Sequence, residues 1–273
     1  MRSEMPTVER VRHQPPPRAR LLEVREVEAL TPHMLRVVLR GEDWSGFHSA
    51  GADDHVKLMF SASGDGPPPL PNPDPDGPRY PEGVTPPVMR DYTPRRFDPE
   101  TGELTIDFVA HGDGPAASWA AKAKAGALLG QGGPRGSLIV SDDFDWYLLA
   151  GDETALPSIA RRLEELPASA RAIVIAEVAD VSEQLELETR AKLDLHWLHR
   201  GGAEPGATDL IERAIRDLDL PGGDGFAWVA AEADSVRPLR THLREERGLP
   251  KSWTRITGYW KRGASDHHDG PDE

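Results

Sequence analysis

Arg90-Asp91-Tyr92-Thr93-Pro94-Arg95 lies between a proline-rich segment and a strand-like run at 104–109. An arginine, an aromatic ring and a hydroxyl gather on an extended segment, and side chains alternate across a strand, so Arg90 and Tyr92 share one face with Thr93 at its edge. That face suits a flavin. Arg90 would pair bidentately with a pyrophosphate, Tyr92 would lie against an isoalloxazine ring, and Thr93 would hydrogen-bond near its reactive nitrogen. The same three residues are ordinary at a strand edge, so by themselves they serve either reading.

Outward from that stretch come Asp107-Phe108-Val109-Ala110-His111, then Gly114-Pro115-Ala116-Ala117-Ser118-Trp119-Ala120, then Gly132-Gly133-Pro134-Arg135-Gly136-Ser137. In this order the motifs resemble those of siderophore-interacting proteins, FAD-dependent ferric-chelate reductases related to the ferredoxin reductases. The resemblance begins at Arg20-Leu21-Leu22-Glu23-Val24, includes His55-Val56-Lys57-Leu58, and ends at Gly258-Tyr259-Trp260-Lys261-Arg262-Gly263. It implies flavin contacts at Arg90, Tyr92, Thr93, Asp107, Val109, His111, Ala116, Ser118, Trp119, Gly133, Gly136 and Ser137. It also implies a nicotinamide site with Gly151, Asp152, Thr154, Glu232 and Trp260, and substrate contacts at Lys57, Lys261 and Arg262.

The composition bounds the chemistry. At 273 residues, 38% of them hydrophobic, the chain is long enough for two globular domains. Lys and Arg total 32 against 46 for Asp and Glu, a formal charge of −14, which argues against general nucleic-acid binding or docking on anionic membrane. No cysteine is present, so disulfides, cysteine-ligated iron–sulfur clusters and thiolate zinc sites are excluded. Electrons must then travel on an organic cofactor. No apolar run approaches the roughly 20 residues of a membrane helix, and the expected compartment is the cytoplasm.

Along the chain, residues 1–19 carry Pro15-Pro16-Pro17 and mixed charge without periodicity, and read as a disordered arm. Strand-like runs follow at 22–27, 34–40, 56–61, 90–93, 104–109 and 137–140, with a long Pro/Gly/Asp-rich loop at 64–87 and a helix at 116–125. This pattern predicts an antiparallel β-barrel over 20–141. From 142 to 263 apolar runs alternate with helical periods, which predicts a Rossmann-like parallel sheet with helices on both faces, followed by an acidic tail at 264–273.

Each motif has a plainer alternative. Gly114–Trp119 is a helix start whose free N–H groups would meet phosphate, or only a glycine-rich helix start. Gly132–Ser137 is a close approach to the adenylate side of a flavin or a plain turn. Leu148-Leu149-Ala150-Gly151-Asp152-Glu153-Thr154 is a strand and turn suited to a dinucleotide, but it lacks G-x-G-x-x-G, and its two carboxylates are unfriendly to phosphate. Glu177, ending the next strand, would favour NADH through a ribose hydroxyl, whereas Arg237, Arg240 and Arg244 would favour NADPH or else form a solvated helix face. The resemblance favours NADPH. Lys57, Lys261 and Arg262 would draw an anionic ferric chelate, or they merely punctuate strands. Tyr259 or Trp260 would shield the second flavin face, or pack in the core. The ten histidines show no metal-ligand spacing, so no metal site is expected.

The expected function is an FAD-containing NAD(P)H-dependent reductase that releases iron from a ferric siderophore, with no catalytic acid or base, acting as a monomer. Two alternatives remain open at this stage. One is a ferredoxin-reductase-like flavoprotein serving a protein partner or free flavin; the other is a non-enzymatic siderophore- or flavin-binding protein.

Overall fold

The computed structural model describes residues 5–14, 18–62, 66–72, 79–110 and 114–264. The chain divides into two compact units, Arg10–Ile139, and Val140–Glu273 together with Met1–Glu9.

The first unit is a curled, seven-stranded sheet in the order β5-β4-β8-β2-β3-β7-β6. Its strands are β2 (Arg20–Thr31), β3 (Met34–Arg40), β4 (Val56–Phe60), β5 (Val88–Tyr92), β6 (Arg96–Asp98), β7 (Glu103–Val109) and β8 (Leu128–Gly132); β1 is Val8–Arg12 and β9 Gly136–Val140. Period-two alternation places Leu22, Val24, Val37, Leu39, Leu104, Ile106 and Phe108 in one core, closed by Ala116 and Ala120 of the short helix α1 (Pro115–Ala120). The sheet curls until its ends approach: the Tyr92 ring on edge strand β5 lies 4.5 Å from Phe108 on β7. It is a half-barrel, open between β5 and β6 in its hydrogen bonding.

Three local expectations change. The arm read as disordered over 1–19 contains β1, which pairs with β9 as a two-stranded ribbon, and Gly136 sits there because a Cβ would lie 2.4 Å from Val11 O. The helix expected at 116–125 ends at Ala120, since the chain turns through Gly126 at φ 86°. The long loop is anchored where it is described. Leu70 lies 2.7 Å from where a Gly130 Cβ would stand, and the Tyr80 hydroxyl reaches the Met59 sulfur at 4.0 Å.

The second unit is a five-stranded parallel sheet, β12-β11-β10-β13-β14, from β10 (Trp146–Gly151), β11 (Arg171–Val178), β12 (Lys192–His199), β13 (Gly225–Glu232) and β14 (Thr254–Trp260). β10 and β13 are buried throughout, as strands covered on both faces must be. Helices α3 (Leu210–Asp217) and α4 (Ala233–Thr241) pack through Ile211, Ile215, Val236 and Leu239 on the face of Leu148 and Ala150. The opposite face carries α2 (Leu156–Glu165), whose Arg162 lies 5.0 Å over the Tyr147 ring. The helix expected at 236–247 starts earlier, at Ala233, because the Glu232 carboxylate caps it, and it changes to a π turn at His242–Glu246.

Candidate functional site

β4 and β5 are in register, with Val56 opposite Tyr92, Leu58 opposite Arg90 and Lys57 opposite Asp91. Directly opposed residues share a face, so Arg90 and Tyr92 lie on the side of Val56 and Leu58, near Trp119. Tyr92 is half-buried, and burial pushes its hydroxyl well above the ordinary value against the pull of Arg90, so it stays a neutral phenol. Arg90 is half-buried too; its Nη1 donates to Met89 O at 2.7 Å, and no carboxylate pairs with it among the described residues. An unpaired arginine in so acidic a chain is a ready anion seat.

The other flavin candidates sort by what they touch. Thr93, one residue past β5, is buried. Asp107 is committed within the sheet: its carboxylate takes two hydrogen bonds from Arg36, both 2.8 Å, and is 4% exposed. It ties β3 to β7, because an acid buried beside a fork-shaped donor is already satisfied. Val109 ends β7, half-buried. In α1, Ala116 is core, Trp119 lies 5.7 Å from Phe108, and Ser118 is half-buried. The N-cap Gly114 gives α1 no side-chain cap, so its first-turn N–H groups have no capping acceptor among the described residues. Gly133 adopts φ 95°, and the Ser137 hydroxyl is committed to Asp54 at 2.7 Å. His111 lies outside the described residues. The arginine without a carboxylate, the half-exposed aromatic on the same face and the uncapped helix start fit a flavin dinucleotide.

Lys57 is not brought to that face. It stands with Asp91 on the opposite side of the sheet, its Nζ 2.8 Å from the Asp91 carboxylate. Lys261 lies 3.5 Å from Asp234, while the Arg262 backbone N–H donates to Glu232 at 3.2 Å. Both lysines expected to meet substrate are therefore ion-paired.

In the second unit the strand ends converge on a cavity of about 380 Å³ lined by Asp152, Glu177, Thr208, Glu232, Ser235 and Arg262 among others. It sits outside the carboxyl ends of the strands, where open α/β sheets bind ligands. Gly151 is required by packing: a Cβ there would lie 2.1 Å from Ala230 O. Asp152 accepts from the Thr154 N–H at 3.0 Å and from Trp260 Nε1 at 2.8 Å, which gathers three of the expected residues. Glu232 accepts from the N–H groups of Asp234 and Ser235, at 2.8 and 3.0 Å, and so fills the anion seat at the start of α4. These carboxylates suit the hydroxyl or amide donors of a nicotinamide dinucleotide and oppose its phosphates. Neither expected selector is free. Glu177 is buried and takes the Thr208 hydroxyl at 2.7 Å; Arg237 pairs with Asp234, Arg240 reaches Ile256 O, and Arg244 reaches Thr254.

Arg200 escapes sequence reasoning, since a lone arginine beyond a strand carries no motif. It grips Glu153 at 2.5 and 2.9 Å and lies 3.8 Å from Glu177. Burial lifts Asp152 and Glu177 above the ordinary carboxylate range, against the pull of Thr154 and Thr208. The folded state then holds those protons more tightly than the unfolded chain. Stability from each carboxyl is present below the ordinary value, about 4, and is lost as pH rises through the folded value. Glu177→Gln, which cannot ionise, should lose less stability than the wild type over that rise. Equal losses in a thermal-melting pH series would refute this.

The antiparallel half-barrel followed by a parallel sheet is a fold shared with the ferredoxin reductase of carbazole 1,9a-dioxygenase, at TM-score 0.63 and 16% identity over 90% of this chain and 70% of that one. Residues 23–138 match the siderophore-interacting FAD-binding domain and residues 144–263 the siderophore-interacting protein model. The chain belongs to the siderophore-interacting protein family. It is 35% identical over 250 residues to the ferric vibriobactin reductase ViuB of Vibrio cholerae serotype O1, covering 90% of this chain and 91% of that protein. It is 34% identical over 246 residues to the NADPH-dependent ferric-chelate reductase of Escherichia coli K12, covering 89% and 93%. A siderophore utilization protein from T. fusca superposes at TM-score 0.87 with 43% identity, over 95% of this chain and 99% of that one.

Proposed function

We propose that this protein is an FAD-dependent, NAD(P)H-driven reductase of ferric siderophores. The observation that carries the reading is Arg90, without a carboxylate partner, beside half-buried Tyr92 on one face of β5 in a FAD-binding domain. Arg90 would neutralise the pyrophosphate, Tyr92 would lie along the ring, and the first turn of α1 would offer N–H groups to phosphate oxygens. Bound FAD would supply the conversion of a two-electron hydride donor into one-electron reduction of chelated iron.

Residues of the second unit receive the hydride donor. Asp152 and Glu232 accept hydrogen bonds from the donor's hydroxyls or carboxamide, and the NADPH dependence of the Escherichia coli relative supports NADPH as that donor. No acid or base is needed for electron transfer, so no catalytic residue is assigned. Iron(II) matches hard oxygen donors less well than iron(III), and reduction loosens the chelate. The substrate is a ferric siderophore, as the ViuB relative's name supports, with Arg262, Lys57 and Lys261 as its contacts; the two lysines must first leave Asp234 and Asp91. No helix among the described residues is long and apolar enough to cross a membrane, in keeping with action in the cytoplasm, and we assign a monomer from the acidic chain.

The test is optical. Purified protein loaded with FAD should bleach with NADPH under argon, then recolour on adding a ferric siderophore but not the iron-free chelator. Protein that stays colourless after incubation with FAD would rule the reading out.

A further inference from the structure

His13, just past β1, meets the connection between β8 and β9 three times. Its backbone N–H donates to Arg135 O at 2.9 Å, its Nδ1 lies 3.2 Å from Pro134 O, and its Nε2 lies 3.0 Å from Ser137 Oγ. Ser137 Oγ is in turn 2.7 Å from Asp54 Oδ2 and 3.3 Å from the Ala50 N–H. Asp54, 3% exposed, also accepts from Ser49 Oγ at 3.0 Å and the Gly51 N–H at 3.1 Å.

Ser137 Oγ therefore joins the His13 ring to buried Asp54, so the N-terminal strand is tied through one hydroxyl to residues 49–54 as well as to the connection between β8 and β9. The His48 ring stands 5.8 Å from that of His13.

We infer that His13 is a positioning residue of the cofactor loop: by clamping Pro134 and Ser137 from the N-terminal strand it sets Gly133–Ser137 for FAD. This rests on the proposed flavin reading of that loop.

The test is FAD titration of the full chain, with amide hydrogen exchange at 133–137 in the FAD-free protein. His13→Ala, which loses both side-chain contacts, should bind FAD roughly tenfold more weakly than the wild type, with faster loop exchange. His13→Gln, which can keep one of them, should fall between the two. Exchange in His13→Ala equal to wild type overturns the inference. So does faster exchange with unchanged FAD affinity, which leaves the flavin reading standing. A wild type that takes up no FAD overturns both.

Discussion

Arg200→Leu is expected to destabilise the second unit by about 3–5 kcal/mol, because it leaves Glu153 buried without its partner. Burial alone would pull the Arg200 guanidinium down, but the Glu153 hydrogen bonds and charge hold it above its ordinary value, so the guanidinium stays charged. Side chains of Arg200 and Glu153 are 4% and 7% exposed, so solvent cannot rescue the orphaned carboxylate. In thermal melting the loss should appear as a fall of about 10 to 20 °C. Arg200→Leu with Glu153→Leu should recover most of it, since removing both charges also removes the cost of burying them. A single variant that melts with the wild type would show the pair to be dispensable.

The second large effect is expected at Arg90. Arg90→Ala removes up to two charge-assisted hydrogen bonds to a pyrophosphate and should weaken FAD binding about a hundredfold, so that the purified variant loses its colour. Tyr92→Ala should cost about tenfold through lost ring contact. Arg90→Ala should keep its melting temperature without FAD to within a few degrees, since among the described residues the Arg90 side chain bonds only its neighbour Met89 O. Wild-type FAD affinity in Arg90→Ala would move the flavin elsewhere.

Much of the architecture was legible because it rests on patterns of burial. Alternation in β2 and β7 and the continuous apolar runs of β10 and β13 announce a half-solvated and a doubly covered sheet. β1 was illegible because a two-stranded ribbon with exposed side chains needs no apolar alternation, as Val8-Glu9-Arg10-Val11-Arg12 illustrates. β8 was missed because its glycines look like a turn, although Gly130 is there to admit Leu70 and Met59. Arg90 and Tyr92 could be placed on one face from spacing alone, since a strand dictates it. That Asp107 belongs to Arg36, Lys57 to Asp91 and Ser137 to Asp54 depends on neighbours 71, 34 and 83 residues away, which spacing does not carry.

The most direct measurement is the ferrous iron trapped per NADPH consumed when the FAD-loaded protein meets a ferric siderophore under argon. A hydride carries two electrons and each ferric ion takes one, so two ferrous ions per NADPH are expected. NADPH consumption that yields no ferrous iron, or that proceeds equally with iron-free chelator, would contradict the account.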